Sequence, residues 1–300
     1  ALYCTFFICT KSYAGIMRHD IDVQEYRDFA ENLGNYSVGL TNIPVYKMDG
    51  SLSGYLDFAM PDFGMVANYG YSTLVAPSYV ASARHNTGYQ SVGFGKGAQY
   101  GATYKLINRN ESPLSDIDFH LPRLNKVVTD AAPIETVDKT DIRRGDTSRY
   151  SWYARIGGGT QSQVSEDQSE QITLSGAYNW VSGGTINSGT VTTPSGTLRA
   201  IDYGPDNPLT SPLAIGTMAG DSGSPIMVYD EVDKVWKIAG VLHGAVVNDQ
   251  AYGTISMWEY IPDDYIQNTI AANTSPDVVD IAGNGTIFWD DSAITQYGSS

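Results

Sequence analysis

Apolar residues recur at helical spacing in one stretch near the start of the chain. Positions i, i+3 and i+4 of a helical pattern are filled by Val23, Tyr26, Phe29, Ala30 and Leu33. Asp20 or Asp22 precedes the pattern, where an N-cap residue is favoured, and Gly34 follows it, where helices commonly end. The pattern predicts an amphipathic helix of about three turns, and it is the only long helix that we expect.

From Tyr36 onward the pattern changes to short runs rich in Val, Ile, Tyr and Thr, separated by turn residues roughly every eight to twelve positions. Met48-Asp49-Gly50-Ser51 is typical of a hairpin turn. Many short strands after one short helix predict an all-β double barrel or sandwich. The predicted strands are 38–46, 52–58, 72–83, 102–108, 150–156, 171–180, 184–193, 198–203, 226–229 and 235–241.

The two ends of the chain differ from its body. Residues 1–9 are apolar and contain both cysteines, Cys4 and Cys9, and Ser12-Tyr13-Ala14 follows with small residues where a signal peptidase cuts. We therefore expect residues 1–14 to be the remnant of a signal peptide, with an N-terminal strand as the alternative. Composition becomes linker-like near residue 273, so we expect a main domain at 15–272, and a linker with the first strands of a further unit at 273–300.

Charge and composition exclude several classes of function. There are 33 acidic and 18 basic side chains, a formal net charge of −15, and no Lys/Arg cluster. This balance argues against nucleic acid or an anionic membrane as a partner. The chain has four histidines, a body without cysteine, and no nucleotide-binding fingerprint, so we expect neither a metal nor a cofactor.

The stretch with the clearest chemistry is Ala219-Gly220-Asp221-Ser222-Gly223-Ser224-Pro225. Glycines on both sides of Ser222 permit the tight turn on which a nucleophilic serine must be presented. In such a turn the N–H groups of Gly220 and Ser222 can converge on one point and bind the oxyanion of an acyl-transfer intermediate. A plain surface turn is the alternative.

A nucleophilic serine needs a base and an orienting carboxylate. His85 is the best placed of the four histidines, because it ends an alternating strand rich in small residues. His243 follows the serine turn closely and is predicted either to line a substrate groove or to be a core ring. Asp116 and Asp118 share one face of an extended segment, so alternation does not choose between them, although Asp118 is nearer the predicted core.

The order His, Asp, Ser with Gly-Asp-Ser-Gly-Ser-Pro resembles the chymotrypsin-like serine peptidases. More narrowly, the chain resembles the protease domain of the serine protease autotransporters of the Enterobacteriaceae, relatives of the IgA-protease autotransporters. The segments that carry this resemblance are 26–32, Pro61-Asp62-Phe63, His85-Asn86, 118–126, Ala132-Pro133-Ile134, 220–225 and Val235-Trp236-Lys237.

The resemblance implies a secreted serine endopeptidase with a chymotrypsin-like double β-barrel and the start of a right-handed β-helix after it. It implies Asp118 as the triad carboxylate beside His85 and Ser222. For peptide hydrolysis by this triad we expect the oxyanion hole at Gly220 and Ser222, and a substrate-binding edge at Gly240, Val241, Leu242 and His243. It also implies export of a monomer through the periplasm and outer membrane of a Gram-negative bacterium by the protein's own outer-membrane β-domain.

The expected substrates are host proteins or glycoproteins, such as mucins, with cytoskeletal proteins such as spectrin or fodrin as the alternative. The competing function is an adhesin or agglutinin that binds its target on a protease scaffold.

Overall fold

The computed structural model of the protein describes residues 16–95, 102–112, 116–137, 148–167, 170–174, 181–187, 191–192, 197–201, 208–217, 219–247, 254–262, 264–281 and 285–289. The expected signal-peptide remnant, with Cys4 and Cys9, and the end of the predicted strand at 171–180 lie outside these residues. No helix in the described part of the chain has the length and apolarity needed to cross a membrane.

The predicted N-terminal helix is present as α1, Val23–Glu31. The Asp22 side chain caps it by accepting a hydrogen bond from the backbone N–H of Gln24 at 2.8 Å. Asn32 adopts a left-handed conformation that ends α1, and its amide group binds the carbonyl of Pro61 at 2.8 Å. The helix is therefore shorter than the apolar pattern, and Leu33 is exposed rather than part of the buried face.

A second helix, α2, spans Tyr265–Ala272 and is nearly as long as α1. The expectation of a single long helix was wrong. Ile266 is the only residue of α2 that is buried, while Tyr265 and Ile270 pack partly buried against the core cluster that contains Ile266. Three one-turn 3₁₀ helices lie at Gly34–Tyr36, Phe63–Met65 and Asn68–Gly70.

A five-stranded sheet in the first half of the chain has the order β4-β5-β8-β7-β6. The predicted strand at 72–83 is in fact two antiparallel strands, because the chain turns at Pro77 and Ser78. The strands of the first half are β1 Ile16–Met17, β2 Ile43–Tyr46, β3 Leu52–Leu56, β4 Thr73–Ala76, β5 Tyr79–Ala81, β6 Ser91–Gly93, β7 Thr103–Asn108 and β8 Arg123–Leu124.

A seven-stranded sheet in the second half has the order β12-β9-β15-β16-β17-β14-β13. Its strand Thr254–Tyr260 has no counterpart among the predicted strands, whereas the strand pair after residue 276 lies in 273–300, where the first strands of a further unit are predicted. The second-half strands are β9 Tyr150–Gly157, β10 Ser162–Val164, β11 Gln171–Thr173, β12 Ser182–Ile186, β13 Val191–Thr192, β14 Thr197–Ile201, β15 Pro225–Asp230, β16 Val235–Val247, β17 Thr254–Tyr260, β18 Asp277–Ile281 and β19 Gly285–Trp289.

Both halves of the chain contribute to one large buried cluster of apolar side chains. Phe58, which follows β3, packs edge-on against Trp152 and Trp236 at centroid distances of 5.2 and 4.9 Å. Residues of the five-stranded sheet, such as Tyr79, and of the seven-stranded sheet, such as Met227, belong to this same cluster. The two main sheets therefore share one core, and the all-β fold class is confirmed. The domain boundaries at residues 14 and 272, and a β-helix beginning with β18 and β19, remain predictions.

Candidate active site

The predicted serine turn lies directly before β15. Gly220 and Gly223 have φ angles of +94° and +81°, in the left-handed region that favours glycine. A side chain at Gly223 would meet the carbonyl oxygen of Tyr71, because a Cβ there would lie 2.2 Å from it. Behind the turn, the Gly223 N–H donates to the carbonyl of Leu242 at 2.9 Å. The sequence around Ser222 therefore forms a constrained turn that is anchored to β16.

A buried ion pair supports the same turn from below. Arg155 Nη2 on β9 lies 2.9 Å from Asp221 Oδ1, and both side chains are fully buried. Asp221 Oδ1 also accepts a hydrogen bond from the N–H of Gly159 at 3.1 Å, and Arg155 donates to the carbonyl of Gly216 at 2.7 Å. This pair is not among the predicted contacts, because its two members lie on separate segments of the chain.

The structure brings His85, Asp118 and Ser222 together from three separate segments. His85 Nε2 lies 2.7 Å from Ser222 Oγ, and His85 Nδ1 is hydrogen-bonded to Asp118 Oδ2. The backbone N–H of His85 donates to the other oxygen of Asp118 at 2.9 Å. Asp116, the other candidate carboxylate, is exposed. Of the two aspartates, Asp118 is the one that reaches the imidazole.

The two charged groups of this arrangement adjust each other's pKa. Burial acts to raise the pKa of Asp118, but hydrogen bonds from the side chain and backbone of His85 and from His243 outweigh it and hold that pKa well below its usual range. The hydrogen bond that His85 donates to Asp118 raises the pKa of His85 against the opposing effect of burial. Asp118 is therefore ionised and stabilises the protonated form of the imidazole.

His243 makes a second contact with the same carboxylate. Its Nδ1 lies 2.9 Å from Asp118 Oδ2 and 3.7 Å from Oε1 of Glu259 on β17. The register of β16 against β17 shifts between Leu242 and Gly244, so His243 occupies a β-bulge. Bulges re-aim side chains beside active sites. His243 is predicted from the sequence as a groove residue or a core ring, so this contact with Asp118 is a new finding of the structure.

The neighbouring residue Asn86 also takes part in the site. Its side-chain amide donates to the backbone carbonyl of Ser222 at 3.1 Å. His120, in contrast, is fully buried, and its Nε2 lies 2.9 Å from the Tyr89 hydroxyl. Burial, reinforced by the charge of Arg109, lowers the pKa of His120 to about 4, so this ring is a neutral part of the core.

The predicted substrate-binding edge at Gly240, Val241 and Leu242 needs correction. These residues pair with both β15 and β17 or with the serine turn, so their backbone groups are already used. Beyond them, residues 244–247 pair with β17, and no other described strand pairs with their opposite edge. Up to Leu242, β15 and the serine turn pair with this side of β16. The open edge of β16 therefore begins after Leu242, at residues 244–247.

Within the described ranges, no group of three or more His, Cys, Asp and Glu side chains is arranged to hold a metal ion.

Comparisons with known proteins agree with this geometry. The adhesion and penetration protein autotransporter of Haemophilus influenzae is 32% identical over 295 residues, a match that covers 90% of this chain and 20% of the relative. Serine protease EatA of Escherichia coli is 35% identical over 250 residues, covering 77% of this chain and 17% of the relative. The crystal structure of the Haemophilus influenzae Hap adhesin matches with a TM-score of 0.73 at 31% identity, over 85% of this chain and 28% of that one.

The chain spans about a fifth of the length of the curated relatives it matches. The profile of one family, Peptidase S6, described as Immunoglobulin A1 protease, matches residues 14–264. The match covers most of the chain and includes His85, Asp118 and Ser222, so the chain belongs to the Peptidase S6, or immunoglobulin A1 protease, family.

Proposed function

We propose that this chain is the protease domain of a secreted autotransporter and hydrolyses peptide bonds through an acyl-enzyme. The observation that carries the proposal is the continuous hydrogen-bonded path from Asp118 through His85 to Ser222 Oγ, with the last step at 2.7 Å. Hydrogen-bond reach between nucleophile and base, with a third group orienting the base, is the geometric signature of nucleophilic catalysis.

Each residue has a defined step in this mechanism. His85 takes the proton of Ser222 as Oγ attacks the substrate carbonyl, and later passes that proton to the leaving amine. Asp118 holds the imidazole and stabilises its charged form. The N–H groups of Gly220 and Ser222 bind the oxyanion, and each such donor is typically worth about 2.7–4 kcal/mol in the transition state. The left-handed backbone at Gly220 supports this assignment.

Substrate binding is proposed at the open edge of β16. An extended peptide adds as a strand to an exposed sheet edge through main-chain hydrogen bonds. Residues 244–247 of β16 offer such an edge, which begins where the pairing of β16 with the serine turn ends. The substrates that we propose are host proteins or glycoproteins. The whole protein would be exported through the outer membrane by its own β-domain, since the relatives are named autotransporters.

Adhesion is a second candidate function, and one specific observation favours it. The matching relative from Haemophilus influenzae is named an adhesion and penetration protein, and the matching crystal structure is titled an adhesin. Binding and cleavage can coexist in one chain. Binding to mucin that is equally strong in wild type and in Ser222→Ala would support adhesion independent of catalysis.

The proposed function is tested with a fluorophosphonate, which reacts with an activated serine. Intact-mass analysis of wild type should show one adduct, and peptide mapping should place it on Ser222. Ser222→Ala should lose the adduct and the cleavage of a fluorescent casein, and His85→Ala should react far more slowly.

Ser51→Ala is the matched control, because Ser51 is an exposed serine in the β2–β3 turn. It should label as wild type does. Labelling that persists in Ser222→Ala, or no labelling of a folded wild-type chain, would overturn the proposal.

A further inference from the structure

We propose that His243 is a positioning residue for the triad, acting through Asp118, and not a residue of the substrate groove. This inference rests on the proposed function. Asp118 Oδ2 contacts the Nδ1 atoms of both His85 and His243, and Asp118 Oδ1 accepts from the His85 backbone. The carboxylate is thus held by donors from two histidines on different segments.

The chemistry of the partners assigns the direction of the new hydrogen bond. An ionised carboxylate accepts hydrogen bonds and cannot donate them. Nδ1 of His243 must therefore carry the proton that it shares with Asp118, 2.9 Å away. With that donor in place, the Asp118 carboxylate cannot rotate away from His85 without also breaking the hydrogen bond that Oδ2 accepts from His243.

A second carboxylate, that of Glu259, also lies close to His243. Glu259 is buried, and its Oε1 lies 3.7 Å from His243 Nδ1. Burial, with the negative charges of Asp118 and Asp116, raises the pKa of Glu259, and only His243 acts in the opposite direction. The imidazole therefore lies between two acidic groups that face the same spot. Without it, Asp118 would lose a donor and face Glu259 directly.

The backbone around His243 is built for this orientation. His243 occupies the β-bulge between Leu242 and Gly244, where the serine turn stops pairing with β16. Its ring stands at 84° to that of His85, with 6.5 Å between the ring centroids. The bulge turns this one side chain toward Asp118, while the strand continues along β17 on either side.

The test separates positioning from substrate contact by using a small fluorophosphonate probe on the intact chain. In that reaction Ser222 Oγ bonds to phosphorus, the P–F bond breaks and fluoride leaves, while His85 takes the serine proton. His243→Leu removes the donor and should lower kinact by about ten- to a hundredfold, the range expected for losing one hydrogen bond to a charged group. The concentration for half-maximal inactivation, KI, should be unchanged, since the small probe does not bind in the substrate groove.

Rescue by a conservative variant completes the test. His243→Asn keeps an N–H donor at the δ position and should retain most of the wild-type kinact. His243→Gln moves the donor one bond further from the backbone, so its kinact should be as low as that of His243→Leu. If His243→Leu does not fold, His243→Gln takes its place in the test. His19→Asn, a histidine ahead of α1, is the matched control and should match wild type.

The outcomes are distinguishable. If wild type reacts at Ser222 and all three His243 variants match it, the inference falls and the proposed function stands. A variant that raises KI with kinact unchanged would instead make His243 a groove residue. A wild-type chain that does not react at Ser222 would overturn both.

Discussion

At the scale of single residues, the raised pKa of His85 bears most directly on activity. A general base must be unprotonated to accept the serine proton. Because the hydrogen bond that His85 donates to Asp118 raises the pKa of His85 above its ordinary value of 6.5, the imidazole stays protonated to a higher pH than an isolated one. The acid limb of the fluorophosphonate reaction rate should therefore lie above pH 6.5.

Asp118→Asn tests the cause of that shift. Removing the negative charge should lower the pKa of His85, so the acid limb should move to lower pH. The plateau rate should fall by roughly 10⁴-fold, because the amide favours the wrong tautomer of the imidazole. The pH profile of the reaction rate checks both effects together. An acid limb at the same pH in wild type and Asp118→Asn would show that Asp118 does not control the base.

At the scale of elements, the pair of Arg155 and Asp221 joins β9 to the serine turn. Arg155→Met would leave the Asp221 carboxylate buried without its cation, and breaking a buried pair in this way typically costs about 3–5 kcal/mol. The free energy of unfolding, measured with urea, should fall by that amount. Labelling of Ser222 should fall as well, since the turn loses its support.

Arg149→Met is the matched control for this prediction. Arg149 also pairs with a buried carboxylate, Asp230, but its side chain is 31% exposed and Lys237 remains 3.0 Å from that carboxylate. The loss of stability should be smaller, and labelling of Ser222 should be retained. Equal losses in the two variants would contradict a special role of the Arg155 pair.

How far the elements could be predicted depends on whether their signal is local. The apolar period of α1 and the turn residues between β2 and β3 are local, and both elements were predicted. The split between β4 and β5 was overlooked although Pro77 marks it, since alternation continues on both sides. The helix α2 is short, and only Ile266 and Ile270 give it apolar residues at i and i+4 on the core side, so its periodic signal is weak.

The residues of the candidate site could likewise be predicted only where their signal is local in the sequence. Ser222 could be predicted because its flanking glycines are next to it in the chain, and His85 because few histidines compete with it. The choice between Asp116 and Asp118 depends on a contact with a residue far away in sequence, so the resemblance was needed to make it. Neither the β-bulge that turns His243 nor the pairing of Arg155 with Asp221 leaves a local pattern.

At the scale of the whole molecule, catalysis depends on how the two halves of the chain are held together. His85 and Asp118 come from the first half, whereas Ser222 comes from the second. Phe58 links the halves, because it follows β3 and packs against aromatic side chains of β9, β15 and β16. We therefore expect this aromatic contact to help to hold His85 close to Ser222, although Phe58 lies outside the site itself.

Phe58→Ala should consequently affect stability and reactivity together. Deleting a buried phenylalanine typically costs about 3–5 kcal/mol, and Phe58 is only 3% exposed. Urea should abolish both the tryptophan fluorescence of the folded state and labelling at Ser222 at a lower concentration than in wild type. Tyr46→Ala, which alters an aromatic residue that is 54% exposed, should change the free energy of unfolding by less than about 0.5 kcal/mol. If Phe58→Ala loses fluorescence and labelling at the same urea concentration as wild type, the two halves must be held together by other contacts of the shared core.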